Sequence, residues 1–304
     1  MRHLVQLLSS IILNGYLKGF LSGVIFRGWS KKICIPVLNC YSCPGAVFSC
    51  PLGIIQTILS SGSGDAGSKE SMKDRFFSLL SGIPVYTLGI LTLSASLFGR
   101  ATCGWVCPFG YLQDLINKIP VRKIKAPAFL RYGKYLALIF LVILLPIYMT
   151  DSYGMGEPAF CKYFCPAGTI EGGFILPLYS ANKSLRDQLG KLFLWKSSIV
   201  VVFLFSMAFF RRPFCSWACP IGAFLGLFNR ISFFRLKINK ETCISCNACS
   251  KACPSALDVL KEIDSAECIK CLECRKVCPK NSICLYPFDS KEIPAKDSKN
   301  LLRD

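Results

Sequence analysis

Apolar residues along this chain are concentrated in four long stretches, separated by loops that are basic or rich in glycine and serine. The stretches lie near residues 4–26, 76–98, 134–150 and 191–210. A helix needs about twenty apolar residues to cross the ~30 Å hydrocarbon layer of a bilayer. The first stretch follows a short basic start, which also suits a signal peptide, but it is longer than a signal core. The pattern therefore predicts an α-helical integral membrane protein with about four transmembrane helices, the first of them uncleaved.

Composition supports this prediction and suggests where the domains divide. The 304 residues are 52% hydrophobic with a mean hydropathy of +0.44, which is too apolar for an ordinary soluble domain. We predict a membrane domain over residues 1–235, with a flexible Gly/Ser-rich linker at 60–75 in its first loop. We expect a small α+β domain of the bacterial ferredoxin type at 236–288 and a charged tail at 289–304.

The net charge of +18 resides mainly beside the apolar stretches. Loop 99–134 contains seven Lys or Arg against one acid, loop 211–240 contains six against none, and loop 151–191 is balanced at four against four. Lys and Arg accumulate in the cytoplasmic loops of membrane proteins. We therefore expect a multi-pass protein of the cytoplasmic (inner) membrane, in contact with lipid, with both termini and the ferredoxin domain in the cytoplasm. This distribution does not indicate a nucleic-acid partner.

The spacing Cys-x2-Cys-x2-Cys-x3-Cys-Pro occurs twice, at residues 243–254 and 268–279. It is the bacterial ferredoxin pattern, in which the fourth cysteine of each run serves the other [4Fe–4S] cluster. Structural zinc uses two separated cysteine pairs instead, and disulfide scaffolds suit small secreted chains. We predict two clusters, the first held by Cys243, Cys246, Cys249 and Cys278 and the second by Cys268, Cys271, Cys274 and Cys253.

An internal repeat extends the metal chemistry into the membrane domain. Residues 98–119 and 210–231 align without gaps, with ten identical residues in 22 positions. Each copy contains Cys-x3-Cys-Pro-x-Gly and so supplies two thiolates, half of the set that a [4Fe–4S] cluster needs. The repeat predicts two tandem halves of the same orientation. It also predicts a third cluster held by Cys103, Cys107, Cys215 and Cys219, the alternative being cysteines that only pack in a core.

A weaker echo of this motif relates Cys50-Pro-Leu-Gly to Cys165-Pro-Ala-Gly. It suggests a fourth cluster on the outer face, for which we favour Cys43, Cys50, Cys161 and Cys165, with Cys40 as the alternative ligand. A disulfide within this set is a second interpretation. We expect the ~30 Å bilayer core to separate this site from the inner one. Cys34 and Cys284 match no motif and are expected simply to be buried.

Other residues near the repeated motifs allow two interpretations. Arg100 and Arg212 precede the two cysteine pairs, and Trp105 and Trp217 lie within them. The arginines would either offset the charge of a thiolate-ligated cluster or anchor the chain at lipid headgroups. The tryptophans would either shield a cluster or belong to an interfacial belt. Because His3 is the single histidine, no haem is expected.

The motifs Cys-Gly-Trp-Val-Cys-Pro-Phe-Gly at 103–110 and Cys-Ser-Trp-Ala-Cys-Pro-Ile-Gly at 215–222, with the C-terminal ferredoxin pattern, resemble the membrane-bound polyferredoxins of the NapH/NosR/CcoG type. The resemblance spans most of the chain. It implies four or more spans, [4Fe–4S] clusters, and electron transfer between quinol or a cytoplasmic donor and a partner at the opposite face. Some relatives serve quinol oxidation, and others support the maturation or reduction of a copper site.

Together, these features predict a membrane-bound iron–sulfur protein of electron transport. It would pass electrons between the quinone pool, or a cytoplasmic donor, and a partner redox protein or enzyme complex. In enzymatic terms it would be the electron-transfer subunit of an oxidoreductase, of the quinol dehydrogenase type, with no catalytic side chain of its own. The alternative is an accessory or maturation protein that delivers electrons to a metal cofactor of a partner enzyme.

Overall fold

A computed structural model describes residues 1–61, 84–124, 126–149, 157–178 and 190–288 of the chain. These residues are mostly helical, and the two short strands among them form one antiparallel pair. Residues 62–75 of the predicted linker, and all of the predicted tail, lie outside the described residues.

The N-terminal 235 residues contribute the larger helices. In chain order these are α1 (Arg2–Leu13), α2 (Leu17–Ser22), α3 (Pro51–Ser61), α4 (Val85–Phe98), α5 (Ala101–Trp105), α6 (Pro108–Ile116), α7 (Ala128–Tyr148), α8 (Lys191–Phe209), α9 (Pro213–Trp217) and α10 (Pro220–Leu227). Shorter helical turns cover Trp29–Lys32, Phe160–Phe164, Pro166–Gly168, Thr169–Gly173 and Leu176–Leu178. α7 is π-helical over Ala137–Leu144, just before Pro146, whose ring and missing N–H disturb regular α-helical bonding.

Among the described residues, two helices are long and apolar enough to cross a bilayer, α7 with 21 residues and α8 with 19. They correspond to the stretches predicted at 134–150 and 191–210. The apolar helices α1, α3 and α4 contain 12, 11 and 14 residues, fewer than the ~20 that a span requires. Residues 76–83 of the second predicted span lie outside the described residues, so the four-helix prediction is supported for two helices.

The first predicted span, residues 4–26, is wrong as a continuous helix. α1 stops before Asn14, whose side-chain amide donates to the carbonyl of Ser10 at 3.1 Å and to Oδ1 of Asn39 at 3.2 Å. The short α2 then ends at Gly23, whose φ of 68° lies in the left-handed region that glycine adopts readily. Apolar content suggested one span, whereas these polar and glycine positions divide it into two short helices.

The C-terminal domain is closed by strands β1 (Arg235–Ile238) and β2 (Ile283–Tyr286), which pair antiparallel. Between them lie the short helices α11 (Ala248–Ala252), α12 (Val259–Glu262) and α13 (Glu273–Lys276). The core of this domain consists of Leu236, Leu257, Val259 and Ile283 together with Cys249, Cys253 and Cys274. The small core is therefore built around cysteine side chains.

Buried ion pairs attach this domain to the N-terminal part. Arg100 pairs with Glu267 at 3.0 Å, Lys134 bonds to the same carboxylate, and Arg2 pairs with Glu273 at 3.2 Å. Both glutamates directly precede a predicted cluster cysteine. Because removing one partner of a buried ion pair leaves an uncompensated charge, these contacts hold the two parts in a fixed relation.

Candidate metal centres

The eight cysteines of the ferredoxin pattern line two separate cavities. The first cavity has apolar walls that include Ile238 and Leu260, and its cysteines are Cys243, Cys246, Cys249 and Cys278. The second has walls that include Leu236 and Val259, and its cysteines are Cys253, Cys268, Cys271 and Cys274. The two sets are those that the spacing predicts, including the exchange of the fourth cysteine. Apolar walls limit solvent access, which contributes to the redox potential of a metal site.

Both cysteine runs carry left-handed residues at matching positions. The φ angle is 52° at Ser245 and 58° at Asn247 in the first run, and 47° at Lys270 and 61° at Leu272 in the second. Residues other than glycine reach this region at a cost of order 1–3 kcal/mol each. Alternating left- and right-handed residues turn successive N–H groups into one concavity, an arrangement found at anion and iron–sulfur sites. The loops are therefore shaped for a negatively charged group.

The Cys-Pro-x-Gly motifs form helix starts in which cysteine is the N-cap. In the copies that begin at Cys107, Cys165 and Cys219, proline occupies the first helical position, where its missing N–H is not needed. The N–H of Gly168 donates to its cysteine's Sγ at 3.4 Å, and that of Gly222 does so at 3.5 Å. The motif thus directs otherwise unpaired helix N–H groups at sulfur, which favours a thiolate.

The structure brings together the four cysteines predicted for the third cluster, Cys103, Cys107, Cys215 and Cys219, which we call the inner group. All four are buried. Burial raises the pKa of Cys219 well above its ordinary value, and interaction with the other three thiols raises it further. Thiolates that disfavour one another in an apolar pocket need a compensating cation, which iron would supply. The donor set and its surroundings therefore fit an iron–sulfur cluster.

Two arginines cross between the repeats beside the inner group. Arg100 donates to the carbonyl of Cys215 at 2.9 Å, and Arg212 donates to the carbonyl of Cys103 at 3.0 Å. Each guanidinium is 1% exposed and ion-paired with a buried carboxylate. The interpretation of these arginines as lipid-headgroup anchors is therefore wrong, because both charges lie inside the protein next to the cysteines.

A second membrane-domain set, the Cys40 group, consists of Cys40, Cys50, Cys161 and Cys165. Burial raises the pKa of Cys165 strongly, and Cys161, Cys40 and Cys50 raise it further, as the neighbours of Cys219 do. A Cβ at Gly168 would stand 3.4 Å from Sγ of Cys40 and 3.8 Å from Sγ of Cys165. The sulfur atoms of Cys40 and Cys165 therefore both lie beside Gly168.

Our preference for Cys43 over Cys40 in this set is not supported. Sγ of Cys43 lies 3.6 Å from Oδ1 of Asn14, to which it donates. The loop is fixed instead through Cys40, whose N–H donates to Oε2 of Glu171 at 2.6 Å. Burial raises the pKa of Glu171 to about 7, and the Cys40 N–H opposes that shift. Glu171 thus holds the Cys40 loop against the helical turns that follow Cys165.

Two buried glutamines, which the sequence reasoning missed, contact cysteine sulfurs. Nε2 of Gln113 lies 2.9 Å from Sγ of Cys215, and Nε2 of Gln56 lies 3.3 Å from Sγ of Cys161. Each glutamine stands six residues after the cysteine of a Cys-Pro-x-Gly motif. The internal repeat compares one tandem half with the other and does not reveal this shared position. An alignment of residues 50–56 with 107–113 would have revealed it.

The inner group and the Cys40 group are close neighbours. Sγ of Cys107 lies 4.0 Å from the carbonyl oxygen of Leu38, two residues before Cys40 in the chain. Both groups belong to one hydrophobic core that includes Cys50, Cys107, Cys165 and Cys219. The expectation that a ~30 Å bilayer core separates the two sets is therefore wrong.

Helix α1 shows how far apart the inner group and the Cys40 group are. At one end, Gln6 donates to the carbonyl of Gly104, beside Cys103. At the other end, Asn14 donates to Asn39, beside Cys40. These two positions are eight residues apart, and eight residues of α-helix rise about 12 Å. The inner group and the Cys40 group are thus separated by a distance on the order of two helical turns.

The motif that contains Cys103 and Cys107 also contacts the second ferredoxin run. Nε1 of Trp105 donates to the carbonyl of Lys270 at 3.0 Å. Gly104 packs so closely on this run that a Cβ there would stand 2.5 Å from the carbonyl oxygen of Ile269. Trp105 therefore joins the two sets of cysteines, and its indole N–H does not face a headgroup layer.

None of the nineteen cysteines, all of which lie in the described residues, forms a disulfide. Cys34 and Cys284 are buried, as expected. Across the described ranges, no three His, Cys, Asp or Glu side chains are arranged to hold a single metal ion. The ferredoxin cysteines instead surround cavities, as a multi-iron group requires.

Two known families match the chain. Residues 82–127, 135–175 and 193–241 match a family described as a 4Fe-4S binding domain. Residues 235–279 match a 4Fe-4S dicluster domain. The first family covers both copies of the internal repeat, and the second covers both ferredoxin runs. These matches indicate [4Fe–4S] clusters, as the cysteine spacing predicts.

Individual relatives extend the comparison. An uncharacterized protein of Methanocaldococcus jannaschii is 32% identical over 186 residues, 59% of this chain and 69% of that protein. The putative electron transport protein YccM of Escherichia coli is 31% identical over 177 residues, 55% of this chain and 44% of YccM. The ferredoxin-type protein NapH of Haemophilus influenzae is 28% identical over 173 residues, 55% of this chain and 52% of NapH.

The chain spans about two thirds of the first of these relatives and about half of the other two. No solved structure matches it. The resemblance on which the sequence interpretation rests is confirmed by the two matching families and by the named relatives. The chain belongs to the polyferredoxin-type family of 4Fe-4S electron transport proteins.

Proposed function

We propose that this protein is a membrane-bound electron-transfer protein that carries four [4Fe–4S] clusters. The ferredoxin cavities would hold two of them through the cysteine sets that line each cavity. The inner group would hold the third, and the Cys40 group would hold the fourth. When bound, such a cluster takes up and releases one electron at a potential set by its protein surroundings.

The observation that carries this proposal is an unbroken series of contacts from the ferredoxin domain to the Cys40 group. Trp105 connects the second ferredoxin run to the inner group. The contact between Cys107 and Leu38 connects the inner group to the chain leading into Cys40. An ordered series of neighbouring sites is what an electron-transfer protein needs, since no quinone or partner is then required between them.

The side chains around the cysteines support transfer by holding the sites in fixed positions. Arg100 and Arg212 connect the two repeat copies. Asp114 of the first copy pairs with Arg212 of the second, and Glu267 joins Arg100 to the ferredoxin domain. Fully buried and paired charges of this kind have few alternative arrangements. They also place positive charge beside thiolate-rich sites, which favours the more negative, reduced state of a bound group.

Exposed apolar surfaces support a membrane location. In α1 the polar residues Arg2 and Gln6 are buried, whereas Leu4 and Ile11 are 59% and 58% exposed. This is the reverse of a helix on a soluble protein, and lipid would cover the apolar side. The span-length helices α7 and α8 likewise expose apolar side chains, among them Phe140 on α7. By the distribution of basic loops, the ferredoxin domain would face the cytoplasm.

A cavity of about 360 Å3 supports a quinone as one redox partner. Its walls include Trp105 from the inner motif and Leu272 from the second ferredoxin run, with Phe98, Phe234 and Phe288 around them. Apolar and aromatic walls suit a flat, lipid-soluble ring, and the position is adjacent to two predicted clusters. A soluble redox protein would exchange electrons at the first ferredoxin cavity, where Cys246 is exposed.

Iron and acid-labile sulfide per chain, measured on anaerobically purified protein in detergent, test the proposal. Four clusters require about sixteen irons. About twelve would remove the Cys40 group from the proposal, and about eight would confine the clusters to the ferredoxin domain and overturn the membrane-domain sites. Release from membranes by detergent, and not by alkaline carbonate, tests the location.

A further inference from the structure

Gln113 and Gln56 place a side-chain N–H group on a sulfur of each membrane-domain cysteine group. Gln113 lies on α6, after Cys107, and Gln56 lies on α3, after Cys50. Each contacts the first cysteine of the facing Cys-x3-Cys pair, Cys215 at 2.9 Å and Cys161 at 3.3 Å. The two glutamines therefore occupy corresponding positions in two different cysteine groups.

The orientation of both amides follows from their other partners. Nε2 of Gln113 also donates to the carbonyl of Phe109 at 3.4 Å, and Nε2 of Gln56 donates to the carbonyl of Leu52 at 3.3 Å. Oε1 of Gln56 accepts from the N–H of Phe160 at 2.9 Å. A carbonyl oxygen can only accept, so in each case the NH2 side of the amide faces the backbone carbonyl and the sulfur.

The glutamine amides are buried, so their hydrogen-bond partners are protein atoms and not bulk water. Both glutamines are 0% exposed. Within the described part of the chain, Oε1 of Gln113 is buried without a hydrogen-bond partner, an arrangement that costs stability. The buried Gln6 lies near the same site but donates to the carbonyl of Gly104 and to Asp114, and not to a sulfur. A buried amide near the inner group therefore does not contact sulfur merely because it is close.

We propose that Gln113 and Gln56 set the reduction potentials of the two membrane-domain clusters by hydrogen bonding to a ligand sulfur. The inference rests on the proposed function, in which Cys215 and Cys161 are cluster ligands. An N–H donor withdraws electron density from a coordinating thiolate and stabilises the extra negative charge that arrives with an electron. Each glutamine thus raises the potential of its own site, as a positioning residue outside the ligand set.

The other two copies of the motif do not supply such a donor. The positions that correspond to Gln113 and Gln56 are Glu171, which accepts from the N–H of Cys40, and Leu225, which is apolar. Each membrane-domain group therefore receives one glutamine, from the first of its two Cys-Pro-x-Gly motifs in the chain. One glutamine per site allows the two potentials to be changed independently.

The test is redox-titrated EPR of the full iron-loaded chain carrying Q113M or Q56M, each variant serving as the control for the other. Each variant should lower the reduced-to-oxidised ratio of its own cluster at a fixed poise by about tenfold, which is about 59 mV for a one-electron couple. The potential of the other membrane-domain cluster should stay unchanged. Full iron content with unchanged potentials in Q113M and Q56M would overturn the inference.

A second measurement avoids any variant that fails to hold iron. The chain contains four glutamines, at positions 6, 56, 113 and 188, so protein labelled with 15N in the glutamine side chain has few possible signals. Pulsed EPR of the reduced wild-type protein should detect 15N coupling at two clusters, and absence of coupling would reject the hydrogen bonds. Wild-type protein with about eight irons would instead reject the underlying function, so the two failures are distinguishable.

Discussion

Asp114 receives two hydrogen bonds from Arg212, with Nε bonded to Oδ1 at 2.7 Å and Nη2 bonded to Oδ2. The guanidinium of Arg212 also donates to the carbonyl of Cys103. Arg212 lies at the start of α9 and has a left-handed φ of 47°. The carboxylate thus fixes the arginine that joins the two repeat copies. A paired, planar contact of this kind is specific in geometry as well as strong.

We expect Asp114→Asn to destabilise the protein by about 3–5 kcal/mol, because it leaves the buried Arg212 charge without its main partner. The free energy of unfolding in detergent, measured by circular dichroism during denaturation, checks this. Asp258→Asn is the matched control. Asp258 pairs with Lys261 at 3.9 Å on the surface, where such pairs contribute about 0–1 kcal/mol. Equal stability of the two variants would contradict the role given to Asp114.

The difference in unfolding free energy between wild type and Asp114→Asn should depend on pH, and the sign of that dependence is defined. Burial alone would raise the pKa of Asp114, but the bond and charge of Arg212, with Arg2, hold it below its ordinary value of 3.8. A depressed pKa stabilises the folded state above the ordinary pKa, and the benefit is lost as the pH falls through the folded-state value. The stability difference between wild type and Asp114→Asn should stay constant from about pH 8 to 5 and shrink only below about pH 4.

We expect Cys107→Ala and Cys219→Ala each to remove the same cluster, with a loss of about four irons per chain. The two cysteines come from different repeat copies but meet in the inner group, where electrostatic contact links Cys219 to Cys107. The EPR signals of the ferredoxin clusters should remain. Cys34→Ala is the control, because Cys34 is buried outside the four groups. Full iron in either inner-group variant would show that the site is not shared.

The Cys40 group predicts unequal effects for two cysteines three positions apart. Cys40→Ala should lose about four irons, because Cys40 interacts with Cys165 and lies against Gly168. Cys43→Ala should retain them, because Sγ of Cys43 faces Asn14. Iron analysis of the two variants, purified in parallel, separates the alternatives. Loss of iron from Cys43→Ala alone would restore the ligand set preferred on sequence grounds.

The sequence predicts most reliably where spacing alone fixes geometry. In the ferredoxin runs, cysteines three and four positions apart must share one short loop, and the expected sets do line the two cavities. The inner group follows from the repeat, because two copies of one motif related by symmetry meet near an axis. Its cysteines interact in the structure, as the repeat predicts.

Other features depend on tertiary contacts that spacing does not encode. The choice between Cys40 and Cys43 depends on the bond from the Cys40 N–H to Glu171, which is 131 positions away. The break in the first apolar stretch depends on Asn14 and its contact with Asn39. The short distance between the two membrane-domain groups depends on how α1 packs. Each involves a partner distant in sequence, which local pattern does not reveal, although the break in the first stretch also has a local cause in Asn14 and Gly23.

The glycine of the Cys-Pro-x-Gly motif offers a final prediction, with a matched pair within the chain. A Cβ at Gly110 would stand 2.8 Å from the carbonyl oxygen of Cys103, closer than a Cβ atom approaches other heavy atoms in real proteins. At Gly53, apart from its chain neighbours and its own helix backbone, no atom of the described residues lies within 4 Å of the corresponding position. Gly110→Ala should therefore displace the start of α6 and lower the iron content by up to about four per chain. Gly53→Ala should be neutral or slightly stabilising, because alanine is the better helix former by about 1 kcal/mol. Iron content and thermal midpoint measured on both variants check the prediction, and equal values would show that the glycine is not required by the close approach to Cys103.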